Sequence, residues 1–183
     1  AADGGEPNDG SIEPHLSVDG RFVAFTSSAT NLVAADTNAM ADVFVYDRHS
    51  GTTERVSLTD TGGQADGASH TPAISADGRV VAFISDATNL MAGVSNLTGG
   101  VYVRDRRTTV TERIDVAIQG GVADQAAVAL ALSAGGGLVA FSSSAANLVT
   151  GDTNGVSDVF VRDRVAGTTT RVSVRSDGTQ AHG

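Results

Sequence analysis

The chain has no cysteine, no tryptophan and no lysine among its 183 residues. Without cysteine there are no disulfides, no thiol nucleophile and no Cys-ligated zinc. Without lysine there is no Schiff-base chemistry and no lysine clamp for phosphate; all twelve basic side chains are arginine. Aromatic residues are only 4% of a chain that is 40% hydrophobic, so the core must be built from Val, Ala, Leu and a few Phe. No apolar run approaches the roughly 20 residues of a membrane-spanning helix, so membrane insertion is not expected. The net charge of −9 argues against nucleic acid and anionic membrane as partners, since both attract basic patches.

What the chain does have is repetition. Leu16–Phe25 (LSVDGRFVAF), Ile74–Phe83 (ISADGRVVAF) and Leu132–Phe141 (LSAGGGLVAF) follow one another at a fixed spacing of 58 residues. A period of that size marks a repeat architecture. Three such units account for all but nine residues, which leaves no room for a separate catalytic domain.

One unit reads as four strands. Pro14–Val18 is short and extended, and Asp19-Gly20 makes a tight two-residue turn. Phe22–Ser27 is a near-continuous apolar run, as expected of a strand covered on both faces. A long polar loop, Ser28–Ala41, leads to a second apolar strand, Asp42–Asp47, and Arg48–Thr52 turns the chain through Gly51. Thr53–Leu58 alternates polar and apolar residues like a strand with one wet face. Small antiparallel sheets that cannot cover their own faces are best buried by radial stacking as propeller blades. The expected fold is therefore all-β, a single repeat domain over 1–183 with four-stranded blades at about 12–58, 70–116 and 128–174. Residues 1–11 and 175–183 are expected as linker or tail.

The motif I/L-S-x-D-G-R-x-V-A-F resembles TolB-like propeller repeats. The fuller pattern S-S-A-x-N-L…D-T-N-x-x-x-D-V-F-V-x-D is similar to a bacterial, calcium-loop subgroup of them. The resemblance covers Pro14 to Val174. It implies the propeller fold and little about function, because members serve as binding modules, assembly platforms and enzyme appendages.

Closed propellers usually have four to eight blades, and three alone would leave two apolar blade faces in water. The tail Ser176–Gly183 matches the linker around Asp60–Gly67, so the chain stops where a fourth blade would begin. Two arrangements follow: a homodimer closed head to tail into a six-bladed ring, or a piece of a longer propeller.

The loop of unit one contains Asp36, Asn38, Met40 and Asp42, and unit three repeats it with Asp152, Asn154, Val156 and Asp158. Side-chain oxygens at alternate positions plus a backbone carbonyl, from Met40 or Val156, are what calcium wants. The expectation is two Ca²⁺ sites per chain, weak (roughly 10⁻⁴–10⁻³ M) as in extracellular modules. Unit two reads Val94-Ser-Asn96-Leu-Thr-Gly-Gly100 and lacks both carboxylates, so it should hold no ion. The alternative is that Asp-x-Asn simply forms Asx turns in a solvated loop.

Each unit also carries an Asp-Arg pair after its third strand (Asp47-Arg48, Asp105-Arg106, Asp163-Arg164) and a further arginine at Arg55, Arg113 and Arg171. A rim of guanidinium groups could grip a carboxylate or phosphate; turn-forming Asp with Arg paired across the hairpin is the structural reading, and is favoured because the pattern recurs in every unit. Asn31, Asn89 and Asn147 recur likewise and are expected to bond loop backbone. His15, His49, His70 and His182 are scattered; only His15, at the start of an inner strand, would lie near a channel. There is no G-x-S-x-G elbow, no paired carboxylates of glycosidase kind and no phosphate loop.

The function expected is therefore a non-catalytic, calcium-stabilised propeller module. It would present loops and a channel mouth to a protein or carbohydrate partner, in an extracellular or periplasmic setting. The alternatives are a calcium-dependent lectin, which the scarcity of stacking aromatics disfavours, and the propeller part of a larger extracellular enzyme.

Overall fold

The computed structural model describes residues 4–94 and 99–181. Twelve strands form three separate four-stranded antiparallel sheets, each a meander in chain order, with no helix among the described residues. Blade 1 contains β1 (Ser11–Leu16), β2 (Phe22–Ser27), β3 (Asp42–Asp47) and β4 (Thr52–Arg55). Blade 2 contains β5 (Ser69–Ile74), β6 (Val80–Ser85), β7 (Gly100–Asp105) and β8 (Val110–Arg113). Blade 3 contains β9 (Ala127–Leu132), β10 (Leu138–Ser143), β11 (Asp158–Asp163) and β12 (Thr168–Arg171).

β2 and β3 have the bounds their apolar runs predict. The first strand does not. It begins at Ser11, so Pro14 stands inside it, after a break in register between Ile12 and His15 where Glu13 adopts φ 56°. Thr71-Pro72 repeats the bulge in β5, with φ 53° at Thr71. Each is an edge strand, where a missing N–H deprives no ladder of a bond. Nor is the first turn a two-residue hairpin. Ser17 N donates to Phe22 O at 2.9 Å, Gly20 N donates to Ser17 O at 2.9 Å, and Ser17 Oγ donates to Asp19 Oδ1 while accepting from Phe22 N. The S-x-D-G-R motif is thus a five-residue turn closed by its own serine and aspartate.

The sheets stack face to face. Ala24, Val43 and Val45 of blade 1 pack against Val81, Phe83 and Tyr102 of blade 2. The opposite face of blade 2, with Val80, Ala82, Ile84, Val101 and Val103, packs against Val139, Phe141 and Phe160 of blade 3. β6 and β7 are consequently buried at every position, whereas β1 is exposed along its whole length.

Three couplings recur at both junctions. Val18 N donates to Ala76 O at 3.2 Å, and Ala76 N donates to Ala134 O at 2.8 Å. Phe22 presses on Gly78, and Val80 presses on Gly136. Arg106 of blade 2 pairs with Glu54 of blade 1, and Arg164 of blade 3 pairs with Glu112 of blade 2. Arg106 also lies over the Phe22 ring, 4.6 Å from its centroid.

Gly78 therefore has two reasons to be glycine: φ of 73°, and a Cβ that would sit inside the Phe22 ring. Gly20 has φ 68° but only the tip of Arg48, 3.8 Å away. The left-handed backbone costs an L-residue roughly 1–2 kcal/mol at either site. Gly78→Ala should cost about 1–3 kcal/mol more through overpacking. Thermal unfolding of both variants checks this: Gly78→Ala should melt several degrees below Gly20→Ala, and equal melting would deny the Phe22 contact any weight.

Candidate functional site

The long loop of blade 1 closes over the end of β4. Asp42 opens β3, Asp36 lies on the loop, and both carboxylates converge on the buried guanidinium of Arg55. Arg55 Nη1 is 2.9 Å from Asp36 Oδ1, 3.0 Å from Asp42 Oδ2 and 3.1 Å from Gln64 Oε1. Ser57 Oγ donates to the other oxygen of Asp42 and accepts from Val43 N. Asn38 turns its amide nitrogen inward, donating to Asp42 Oδ2 at 3.0 Å and to Ala65 O at 3.1 Å, while its Oδ1 accepts from Met40 N. That last bond is the Asx turn.

Blade 3 repeats the arrangement. Arg171 Nη1 lies 3.2 Å from Asp152 Oδ1 and 3.5 Å from Asp158 Oδ2. Asn154 donates to Asp158 Oδ2 and Ala181 O and accepts from Val156 N, and Ser173 donates to Asp158. The residues named from sequence do come together, but around an arginine, and Met40 and Val156 take part through their amides. Calcium needs six to eight oxygens. Here the carboxylates already face a guanidinium and an amide nitrogen points inward, so the set as arranged does not fit the ion.

Blade 2 shows which member of the cluster matters. Asp42 and Asp158 correspond to Gly100, and Ser57 and Ser173 correspond to Asp115. The carboxylate has moved from one strand to the chain beside it, yet it still meets the arginine. Asp115 Oδ1 accepts from Arg113 Nε at 2.8 Å and Oδ2 from Nη2 at 3.0 Å, and Oδ1 also takes Val101 N, the bond that Ser57 makes in blade 1. Gly100 is the complement: a Cβ there would lie 2.7 Å from the Arg113 guanidinium. The arginine is constant and the carboxylate is placed to suit it. The rest of the corresponding loop, with Asn96, lies outside the described residues.

Burial pushes the Asp36 carboxyl above its ordinary range against the pull of Arg55, with the like charge of Asp42 adding to the rise. Burial does the same to Asp115 against Arg113. Of the Asp-Arg pairs, the aspartates form the turn as expected, Asp47 accepting from His49 N and Asp105 from Arg107 N, but the arginine bonded to Asp47 and to Asp105 is not the adjacent one. The partner of Asp47 is Arg21, at 3.0 and 2.7 Å, and that of Asp105 is Arg79. Their arginine bonds hold both carboxyls low, Asp105 at about 2. The arginines that follow at 106 and 164 are the arms to the preceding blade, so they bridge blades, not their own hairpin.

Gln64 and Gln180 were missed by sequence reading. Gln64 Nε2 donates to Ala35 O and its Oε1 accepts from the amides of Thr37 and Asn38. Their spacing of 116 residues, the same as between the two Asp-Asn loops, was the available signal. Asn31, Asn89 and Asn147 each clasp linker backbone: Asn89 Nδ2 donates to Gln64 O and Asn89 Oδ1 accepts from Asp66 N. His70 Nδ1 pairs with Thr71 Oγ1 at 2.9 Å; His182 lies outside the described residues. Among the described residues no three His, Cys, Asp or Glu side chains are grouped to hold a metal.

No protein-family model matches the chain, and no curated protein does. Solved structures do. TolB from Acinetobacter baumannii is similar at 17% identity and TM-score 0.54, covering 93% of this chain and 34% of that one. The putative TolB from Agrobacterium tumefaciens is similar at 20% identity and TM-score 0.55, covering 88% and 48%. The β-propeller domain of the Trilobed protease from Pyrococcus furiosus is similar at 12% identity and TM-score 0.54, covering 88% and 41%. The chain thus spans between a third and a half of these proteins. The fold is that of a TolB-like β-propeller, and the likenesses carry the fold alone.

Two predictions follow from the ion pairs. Arg55→Met leaves Asp36 and Asp42 buried without their cation and should cost about 3–5 kcal/mol in urea unfolding; a loss under about 1 kcal/mol would make the clamp incidental. Asp105 has a folded-state value of about 2 against an ordinary 3.8. Its contribution is therefore present above the ordinary value and lost as pH falls through about 2. The urea midpoint should fall between pH 4 and pH 2, less steeply in Asp105→Asn; identical slopes would contradict the pairing with Arg79.

Proposed function

We propose that this chain is a non-catalytic β-propeller module that presents loops and the mouth of a central channel to a protein partner outside the cytoplasm. It does so as a platform in its own right or as the propeller part of a larger enzyme. The observation that carries this reading is the fate of the polar groups. In every blade arginines and carboxylates are paired with one another, holding a turn, a loop or a neighbouring blade, and where they line a cleft, as Arg79, Asp105, Glu112 and Arg164 do in one of about 290 Å³, each charge is already paired. One cleft of about 530 Å³ runs between 116–120 and blade 3, and the basic group on its wall, Arg162, is already bonded to Thr169. The likeness to a propeller domain of a protease supports the enzyme-appendage form.

In this reading the long loops are held by arginine, and calcium has no structural part. The two apolar end faces are covered by a second copy, giving a six-bladed ring, a size within the usual four to eight. No helix among the described residues is long and apolar enough to cross a membrane.

Two measurements test the reading. A broad esterase, glycosidase and peptidase panel should show no turnover; activity abolished by His15→Ala would overturn the non-catalytic assignment. Calorimetric titration with millimolar calcium should give no heat, and chelation should leave the melting temperature unchanged. A melting shift of a few degrees on chelation would return Asp36, Asn38, Asp42 and their blade 3 counterparts to calcium.

A further inference from the structure

The two junctions between blades are built from corresponding residues, yet one place in them is filled at the first and open at the second. At the first junction Arg104 is buried, and its Nη1 donates to Thr59 O of the linker at 3.0 Å and to Thr111 Oγ1 at 2.9 Å. Thr111 Oγ1 donates in turn to Leu58 O at 2.8 Å. Burial pushes this guanidinium down, against the pull of the Glu54 and Asp60 carboxylates. The linker thus closes the place with the carbonyls of Leu58 and Thr59 and the charge of Asp60.

At the second junction, 58 positions on, Arg162 stands for Arg104, Thr169 for Thr111 and Ile118 for Asp60. Among the described residues Arg162 makes one side-chain bond, from Nη1 to Thr169 Oγ1 at 3.1 Å. It does not reach Ala117 O, the counterpart of Thr59 O, and Thr169 does not reach Val116 O, the counterpart of Leu58 O. The linker has slipped against its blade. Asp60 N donates to Leu90 O, whereas Ile118 N donates to Asn147 O, one position before the counterpart Leu148. An Ile118 side chain that is 54% exposed replaces the Asp60 carboxylate. Glu112, which stands for Glu54, is held by Arg164. What opens is the cleft of about 530 Å³, lined by Val116, Ile118, Val149, Arg162 and Thr169 among others. Its volume is within the roughly 300–1,000 Å³ of small-ligand pockets. Every residue on it belongs to blade 3 or to the linker that joins blades 2 and 3.

The cleft therefore presents a guanidinium that no carboxylate meets, a hydroxyl beside it, a carbonyl without its counterpart's bond, and an apolar wall. The last residue of a peptide offers the complement of each: a carboxylate for the guanidinium and the hydroxyl, an N–H for the carbonyl, and a side chain for the wall. We propose that this cleft binds the C-terminal end of a peptide. The terminal carboxylate pairs with Arg162 and Thr169, the last N–H donates to Val116 O, and an aliphatic side chain lies against Ile118 and Val149. The site depends neither on the channel mouth nor on ring closure.

Amide NMR titration of the chain with acetyl-Ala-Ala-Leu tests this. The peptide acid should shift the amides of Ile118, Val149 and Thr169, with saturation below about 1 mM. The C-terminal amide of the same peptide, and free leucine, should each bind at least ~10-fold more weakly. Ile118→Asp returns to Arg162 the carboxylate that Arg104 has. It should weaken binding at least ~10-fold without lowering the melting temperature, and Arg162→Gln should weaken it as much. Equal affinity of acid and amide overturns the carboxylate pairing. Free leucine that binds as tightly as the peptide overturns the peptide as occupant. Binding that both variants leave unchanged overturns the cleft; should Arg162→Gln fail to fold, Ile118→Asp decides alone. No saturable shift up to about 10 mM, with leucine, valine or phenylalanine as the last residue, overturns the proposal outright.

Discussion

A four-stranded sheet that is apolar on both sides cannot stand alone in water, and that constraint orders everything else in this molecule. Blade 2 shows the constraint met: both faces are covered and β6 and β7 are buried throughout. Blades 1 and 3 meet it on one side each. The outward sides keep part of the pattern wet, with Val159 and Val172 of blade 3 at 40% and 49% exposure. Phe44 escapes this because Phe25 stacks on it and Ala29 and Leu32 of its own loop fold over it. Burial here comes from repetition of the unit, not from any single large side chain, as the shortage of aromatics demands.

Stacking fixes the faces, and charge fixes the loops. Blades 1 and 3 fold a long polar loop back over the ends of their third and fourth strands around an arginine, Arg55 or Arg171, and blade 2 buries Arg113 at the same place against Asp115. Burying a charge is tolerable only when it is paired. The exchange of Asp42 and Ser57 for Gly100 and Asp115 shows that the pairing can be met from either strand, provided space is cleared for the guanidinium. A second set of arginines, at 106 and 164, joins one blade to the next. The absence of lysine fits this division of labour, because a planar fork can meet several acceptors in a fixed geometry and a point charge cannot.

Much of the fold was legible because the 58-residue period and the runs FVAF and DVFVYD leave one arrangement that keeps both faces dry. The edge strand was misjudged because proline suggests a boundary, whereas Glu13 and Thr71 place it at a bulge. At the Asp-x-Asn loops the sequence could not name the partner of the carboxylates, for a physical reason. Alternating oxygens suit any cation, and sequence spacing does not say whether that cation is an ion or a guanidinium 19 residues away in β4. The compensating change at Gly100 and Asp115 was visible and would have pointed to Arg113. Asn31, Asn89 and Asn147 were legible as backbone clasps, but not that Gln64 and Gln180 hold the loops from the linkers, since a linker residue looks solvated until its blade is closed.

The account makes neighbouring blades the source of each blade's stability, so protection should follow the number of covered faces. Native-state amide hydrogen exchange, on samples that sedimentation shows to be single copies, measures this most directly. The amides of β6 and β7 should exchange slowest, and those of β2, β3, β10 and β11, whose blades stack on one neighbour instead of two, distinctly faster. Equal protection of all three blades in a single copy would mean that each sheet stands by itself, and would contradict the account.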